Sequence, residues 1–208
     1  MIESVFLSSW HNVVRNRSEY HLEMLYLDKA SISGRKRYIY DSQTTSLGTL
    51  TLPLMAHVTN IQSDLYDITS EQLADGRRYR AYLVDGGTPT LFDTGVAEGS
   101  DTLLDGIDDV GVTPERVVIT HADYDHTGGL EAVIDAYNPA VWASEHSNLG
   151  DVEPDRRYGD GTSIVGFEAL HLPGHKPDSY AFVDEDRGVV ISGDVVTGSD
   201  QRGFPAGY

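Results

Sequence analysis

Four potential metal ligands lie within six consecutive positions of this 208-residue chain. Residues 121–126 have the sequence HADYDH, which supplies two imidazoles and two carboxylates from His121, Asp123, Asp125 and His126. Imidazole and carboxylate are ligands of zinc, iron and manganese, and such a mixture can hold two ions. The alternative is a solvated turn that caps a helix, but one aspartate would be enough for that. The density of ligands therefore predicts a metal site.

The elements on either side of this motif predict where it lies in the fold. Residues 116–120 (RVVIT) form a β-branched run typical of a buried strand, and residues 130–137 carry apolar residues at helical spacing. The motif thus follows the carboxyl end of a strand and precedes a helix, where α/β folds place their chemistry.

Two later segments add ligands of the same kinds. Residues 172–179 (LPGHKPDS) put His175 on a turn rich in proline and glycine, and residues 189–194 (VVISGD) end a strand with Asp194. The side chains of His175 and Asp194 can complete a metal site with residues 121–126 only if the fold brings all three segments to the same edge of a sheet.

The order of these residues resembles the metallo-β-lactamase superfamily. The family signature is H-x-H-x-D-H, then a histidine in a Gly-His turn, an aspartate after a strand and a final histidine. The matching residues are His121, Asp125, His126, His175 and Asp194. Residues 91–95 (LFDTG) are similar to an upstream strand and turn of the family, and the resemblance spans about residues 55–198. It implies an α/β fold, a four-layer αββα sandwich.

The resemblance also implies a binuclear centre of two divalent metal ions, zinc first, with iron or manganese as alternatives. One ion would be held by His121, Asp123 and His175. The other would be held by Asp125 and His126, with Asp194 bridging the pair. Asp125 would in addition act as the catalytic residue that orients the nucleophilic water and returns a proton to the leaving group.

Two departures from the family pattern modify these expectations. Asp123 stands where the family has its second histidine, and this harder ligand favours iron or manganese more than an all-histidine site does. The final histidine has no counterpart between Asp194 and Tyr208, where the sequence stops. We therefore expect a fold that is incomplete at its C-terminal side, a second metal site short of one protein ligand, and weak catalysis.

The expected function is hydrolysis of a small-molecule substrate, in which metal-bound hydroxide attacks a thioester, lactone or amide. One alternative is a di-iron redox protein of flavodiiron type without its flavin domain. Asp123 and the eighteen residues between His175 and Asp194 prompt that alternative. The other alternative is an inactive fragment of a hydrolase.

The charge is strongly negative and unevenly distributed. The chain has a net charge of −18, yet residues 1–54 hold six basic and five acidic residues, whereas residues 55–208 hold nine and twenty-eight. A carboxylate-rich surface with the single lysine Lys176 is typical of proteins that work in concentrated salt, although an ordinary acidic protein is the alternative. The basic stripe that nucleic-acid binding requires is missing from this composition.

The cysteine count and the N-terminal sequence indicate the cellular compartment, and the distribution of acidic and apolar residues indicates the domain boundary. The chain has no cysteine, and its N-terminus has neither a basic segment nor a long apolar run, so we expect a cytoplasmic protein that does not span a membrane. Residues 1–54 lack the acidic bias and the regular apolar pattern of the rest. We interpret them as an extension outside the core of a domain at residues 55–208, and a genuine but poorly packed arm is the alternative.

The coarse pattern predicts two packed sheets with helices outside. Strands are expected near residues 56–62, 65–68, 78–85, 89–93, 116–120, 140–143, 163–171, 179–184 and 188–192. Helices are expected at residues 98–109 and 128–137, with a short one at 144–149.

Overall fold

The computed structural model describes residues 57–62, 64–71, 78–199 and 202–205. The predictions made for residues 1–54 lie outside the described residues. Within them, the chain forms a larger and a smaller β-sheet that face each other, with helices against the outer face of the larger sheet.

The larger sheet has seven strands in chain order, β1 to β7. They are β1 (His57–Gln62), β2 (Leu65–Glu71), β3 (Arg78–Val84), β4 (Thr90–Phe92), β5 (Arg116–Val118), β6 (Ala140–Ser144) and β7 (Arg156–Tyr158). The pairs from β1 to β4 are antiparallel, and the pairs from β4 to β7 are parallel. The carboxyl ends of β4, β5 and β6 therefore meet at one edge of the sheet.

The smaller sheet is antiparallel, with its strands in the order β11-β10-β9-β8. They are β8 (Ser163–Ile164), β9 (Phe167–His171), β10 (Tyr180–Asp184) and β11 (Val189–Ile191). A separate hairpin follows, made of β12 (Val196–Ser199) and β13 (Arg202–Pro205).

The helices of the described residues are short. They are α1 (Ser100–Val110), α2 (Tyr124–Thr127) and α3 (Leu130–Tyr137), with 3₁₀ turns at Ala97–Gly99 and Gly193–Val195. α1 ends where Gly111 takes a φ of 76°, a left-handed conformation that glycine adopts without steric cost. None of these helices has the length and apolar composition needed to cross a bilayer.

Two hydrophobic cores hold the layers together. Between the sheets, the ring of Phe92 in β4 lies 5.5 Å from that of Phe167 and 5.0 Å from that of Phe182, both in the smaller sheet. On the other face of the larger sheet, Leu103 of α1 and Val133 of α3 pack against its strands. The described residues thus provide a helical layer and two sheet layers, in agreement with the order expected for an αββα sandwich.

The secondary structure differs from the predictions at several elements, among them the unpredicted helix α2. The helix expected at residues 144–149 is absent, because Ser144 ends β6 and its hydroxyl accepts a hydrogen bond from the backbone N–H of His146, which makes a turn. The strand expected at residues 163–171 is a hairpin, because Val165 and Gly166 both have positive φ. Strands β7, β12 and β13 were not predicted.

Candidate metal centre

Four connections meet at the carboxyl-end edge of the parallel strands. Asp93 follows β4, residues 120–127 follow β5, the loop at residues 172–179 joins β9 to β10, and Asp194 lies in the 3₁₀ turn after β11. The two sheets are joined directly at this edge, since the backbone N–H of Tyr180 donates to the carbonyl of Thr120 across 3.1 Å. The fold therefore brings residues more than seventy positions apart to one place.

Two groups of three potential ligands form there. In each, the ligand atoms all lie within 4.8 Å of one another. The first group is His121, Asp123 and His175, and the second is His121, His126 and Asp194. His121 belongs to both, and the first group has the membership expected for one of the two ions.

His121 lies at the centre of this arrangement, with one of its ring nitrogens left without a hydrogen-bond partner among the described residues. Its side chain is fully buried, its Nδ1 lies 3.1 Å from the Thr120 hydroxyl, and its Nε2 has no hydrogen-bond partner among the described residues. Burial lowers the pKa of His121, and the neighbouring imidazole of His126 lowers it further. A buried polar nitrogen without a partner is costly, and coordination of a metal ion would satisfy it.

His126 lies between two carboxylates. Its Nδ1 is 2.8 Å from Oδ2 of Asp93 and its Nε2 is 3.2 Å from Oδ1 of Asp194. Burial alone would lower the pKa of His126, but the two carboxylates outweigh it and raise the pKa to about 11. In the absence of another cation, the proton of His126 supplies the positive charge that these carboxylates require.

Asp93 holds the imidazole of His126 in place through a hydrogen bond to its Nδ1. Its carboxylate accepts from the backbone N–H and the hydroxyl of Thr120, each at 2.8 Å, in addition to its contact with His126. Asp93 also has a φ of 59°, an uncommon conformation for a residue other than glycine, which costs of order 1 kcal/mol or more. A carboxylate behind an imidazole orients the ring and fixes the nitrogen that faces the ligand.

Asp194 reaches both groups. Its Oδ1 contacts His126, and its Oδ2 lies 3.8 Å from Nε2 of His175. The hydrogen bond from His126 is the main cause of a lowered pKa for Asp194, so this carboxylate is ionised. A carboxylate whose two oxygens face different imidazoles has the position expected of a bridge.

Asp123 also uses its two oxygens differently. Oδ2 lies 2.9 Å from Nε2 of His175 and 3.5 Å from Nε2 of His121, whereas Oδ1 lies 2.5 Å from Nζ of Lys176. Burial would raise the pKa of Asp123, but the hydrogen bonds from Lys176 and His175 outweigh it and lower the pKa. The carboxylate that replaces the second family histidine thus points into the ligand cluster.

Asp125 is the predicted residue that the structure places outside both groups. It is half-buried in the four-residue helix α2, and its charge acts on Lys176. The second group contains His121 in the place where Asp125 was expected. The ligand and catalytic roles assigned to Asp125 therefore stay predictions.

Two other histidines lie near the site without joining either group. His171 stacks on Tyr180 at a centroid distance of 4.8 Å, and its Nε2 lies 2.8 Å from the carbonyl oxygen of Pro177. The ring of His146 lies 4.9 Å from that of His171, in a tilted arrangement, and His146 is exposed.

The sequence did not identify the two buried carboxylates that support the site. Asp93 lay in a segment noted as a strand and turn, and Asp178 lay in the His175 segment, but neither was given a role. Asp178 accepts from the backbone N–H of Ala122 at 2.8 Å. Both follow a strand end or a turn that faces the motif, and only the pairing of the strands shows which backbone groups they meet.

The donor set fits divalent metal ions. It combines imidazole nitrogens with carboxylate oxygens, the buried Nε2 of His121 lacks a hydrogen-bond partner among the described residues, and the negative charges of Asp123 and Asp194 converge on one space.

The chain is similar to known proteins over this region. Residues 74–148 match the family model of the metallo-beta-lactamase superfamily. A probable metallo-hydrolase, YqgX of Bacillus subtilis, is 30% identical over 55% of this chain and 64% of its own length. Hydroxyacylglutathione hydrolase GloC of Haemophilus influenzae is 24% identical over 52% and 63%. Rubredoxin-oxygen oxidoreductase of Megalodesulfovibrio gigas is 33% identical over 58% and 34%. The chain thus spans less than two thirds of the length of these relatives.

A solved structure shares the same fold. The metallo-beta-lactamase from Pontibacter korlensis aligns over 70% of this chain and 74% of its own, with a TM-score of 0.60 and 24% identity. The fold is therefore the metallo-β-lactamase αββα sandwich, as the sequence predicted. The family match, the relatives and the shared architecture all point to the metallo-beta-lactamase superfamily.

Proposed function

We propose that this chain is a metal-dependent hydrolase that cleaves an ester-like bond of a small-molecule substrate. The observation that carries the proposal is the pair of ligand groups that share His121, with the carboxylate of Asp194 facing an imidazole of each. Two such groups side by side suit a binuclear centre.

His121, Asp123 and His175 would hold one ion, and His126 and Asp194 would contribute to the other. Divalent ions bound there would lower the pKa of a coordinated water from about 15.7 toward 7 and polarise the substrate carbonyl. Asp93 keeps the ring of His126 turned so that its Nε2 faces Asp194.

Asp125 remains our candidate for the group that orients the attacking water and carries a proton to the leaving group. It lies in α2 between Asp123 and His126, which places its backbone at the site, and it is half-buried. A carboxylate that is not committed to a metal is available for proton transfer.

A thioester is the first substrate class to test. The relative from Haemophilus influenzae is named as a hydrolase of hydroxyacylglutathione, which supports a thioester over a lactone or an amide. The choice of a thioester substrate rests on similarity to that relative.

We further propose zinc as the first metal to load, and high salt as the assay medium because of the net charge of −18.

The test is release of thiol from a model thioester by the full chain in high salt, with and without added zinc. We expect a weak hydrolytic rate that depends on zinc and that a chelator abolishes. The variant Asp123→Ala should bind less zinc and lose hydrolysis, whereas His146→Ala, a histidine outside both groups, should keep the metal content and the rate of the wild type. Rates that do not respond to metal would contradict the proposal.

Asp125→Asn separates the two roles predicted for Asp125. Full metal content with a lowered rate would assign it to proton transfer, and lost metal would make it a ligand. An unchanged rate and metal content would remove it from the site.

A second candidate function is di-iron redox chemistry. Asp123 supplies a carboxylate where the family has a histidine, and a rubredoxin-oxygen oxidoreductase is among the relatives. Harder carboxylate ligands favour iron over zinc. Preferential uptake of two irons from an equimolar mixture of zinc and ferrous iron under nitrogen, followed by oxidation of that iron on exposure to oxygen, would favour this candidate. Preferential uptake of zinc would favour hydrolysis.

A further inference from the structure

The carboxylate of Asp178 is buried where three segments of the site meet. Asp178 is 5% exposed, and its Oδ2 accepts from the backbone N–H of Ala122 and from the hydroxyl of Ser147, each at 2.8 Å. Ser147 in turn lies 3.0 Å from the hydroxyl of Ser144, at the end of β6.

These contacts connect ligands that come from different parts of the chain. Ala122 lies between the ligands His121 and Asp123, whereas Asp178 follows His175 by three positions in the loop between β9 and β10. The single carboxylate oxygen of Asp178 therefore ties the segment with two ligands of the first group to the segment with the third.

Burial of this carboxylate is not needed for packing. A buried carboxylate is costly unless hydrogen bonds offset the loss of water, and an apolar side chain at the same place would avoid that cost. The backbone N–H of Ala122 would then lack its partner, and the turn that carries His121 and Asp123 would be free to shift relative to His175. One direct backbone bond, from Tyr180 to Thr120, joins the same two segments, but it precedes the ligands on the motif side.

We propose that Asp178 is a positioning residue of the metal centre, which sets the distance between His175 and the pair formed by His121 and Asp123. This role rests on the metal centre proposed above. Asp178 acts through the N–H of Ala122 and does not itself touch the metal or the substrate. Loss of residues that orient metal ligands typically weakens metal binding about 10–100-fold.

The test compares metal affinity among variants of the full chain, by calorimetric titration of the metal-free protein with zinc. Asp178→Leu removes the acceptor and should weaken zinc binding by about tenfold or more. Asp178→Asn can place its amide oxygen where Oδ2 lies and keep both donors, so we expect it to retain most of the affinity. Ser147→Ala, a milder change, should weaken binding a few-fold, and it tests the role if Asp178→Leu fails to fold.

Asp184→Leu is the matched control. Asp184 is as buried as Asp178, at 2% exposed, but it lies at the far end of β10, where it pairs with Arg187. Its loss should reduce thermal stability and leave zinc affinity unchanged, whereas a purely structural role for Asp178 would make the two variants alike.

Wild-type affinity in both Asp178→Leu and Ser147→Ala would overturn the positioning role and leave the proposed hydrolase intact. A wild-type chain that binds no metal would overturn the proposed centre and this role together.

Discussion

Nζ of Lys176 lies 2.5 Å from Oδ1 of Asp123, while the other oxygen of Asp123 faces the imidazole of His175. The only lysine of residues 55–208 is thus paired with the carboxylate that departs from the family pattern. The ion pair engages one oxygen of Asp123, leaves the other to face the histidines of the first group, and places a positive charge beside the proposed metal centre.

We expect Lys176→Met to bind zinc more tightly than the wild type. The ammonium group repels a divalent cation held by Asp123, and its removal also frees Oδ1. The side chain of Lys176 is 38% exposed, so solvent screens the repulsion, and the gain should be about tenfold at most and smaller in high salt. Zinc titration at low and high salt measures it. Lys176→Arg keeps the charge and is the control, and weaker binding by Lys176→Met would mean that orientation of Asp123 outweighs repulsion.

Metal stoichiometry should separate the two ligand groups. His175 belongs to the first group alone and His126 to the second alone, so His175→Ala and His126→Ala should each remove one ion. The Nε2 of His121 can bind one ion at a time, so His121→Ala should also remove one. Mass-spectrometric metal analysis of the loaded proteins gives the ratio, and circular dichroism checks that each variant is folded. Loss of both ions from His121→Ala would contradict the assignment of His121 to the first ion alone.

Gly129 should not accept even a methyl group. A Cβ at this position would lie 2.4 Å from the carbonyl oxygen of Thr94, which belongs to the connection that follows β4. Gly129→Ala must therefore push the start of α3 away from that backbone, and we expect a loss of about 1–3 kcal/mol in the free energy of unfolding. Gly87→Ala is the control, since nothing lies within 4 Å of a Cβ there. Equal urea midpoints for both variants would contradict this prediction.

Arg187 should be a large contributor to stability at the edge opposite the site. Its Nη2 lies 2.5 Å from Oδ2 of Asp64, and its guanidinium also contacts the buried carboxylate of Asp184. Arg187→Met leaves Asp184 buried without that partner, so we expect a loss of about 2–3 kcal/mol, discounted for the partial exposure of Arg187. Urea unfolding measures the loss, and Arg187→Lys, which keeps the charge, should lose less.

The loss caused by Arg187→Met should depend on pH. The hydrogen bond from Arg187 lowers the pKa of Asp64 from its usual 3.8. A lowered pKa in the folded state adds stability above the unfolded pKa, and that stability disappears as the pH falls through the folded value. The difference between wild type and variant should therefore be constant from pH 7 to about 5 and shrink below about pH 4. A difference that grows on acidification would have the wrong sign for this ion pair.

The candidate ligands and the fold class could be predicted because the sequence patterns that indicate them are local. The segment at residues 121–126 places imidazoles and carboxylates directly after a β-branched run, and a strand followed by a helix needs no distant contact to be predicted. The same holds for His175 on its turn and for Asp194 at the end of a strand.

The arrangement of these ligands is a tertiary property. His121, and not Asp125, joins both groups because the side chain of His121 is fully buried at the sheet edge, whereas Asp125 lies one turn further along in α2. Spacing in the sequence does not encode that difference.

The roles of the buried carboxylates Asp93 and Asp178 were even less predictable from the sequence. Their partners lie 27 and 56 positions away, and they are backbone N–H groups that every non-proline residue possesses. The sequence by itself determined which side chains are candidate metal ligands and the fold class that brings them together. Which of them lie in one group, and which acids support them, was decided by the pairing of β4 with β5 and of the two sheets, because the identity of a side chain does not reveal which acid its backbone N–H contacts.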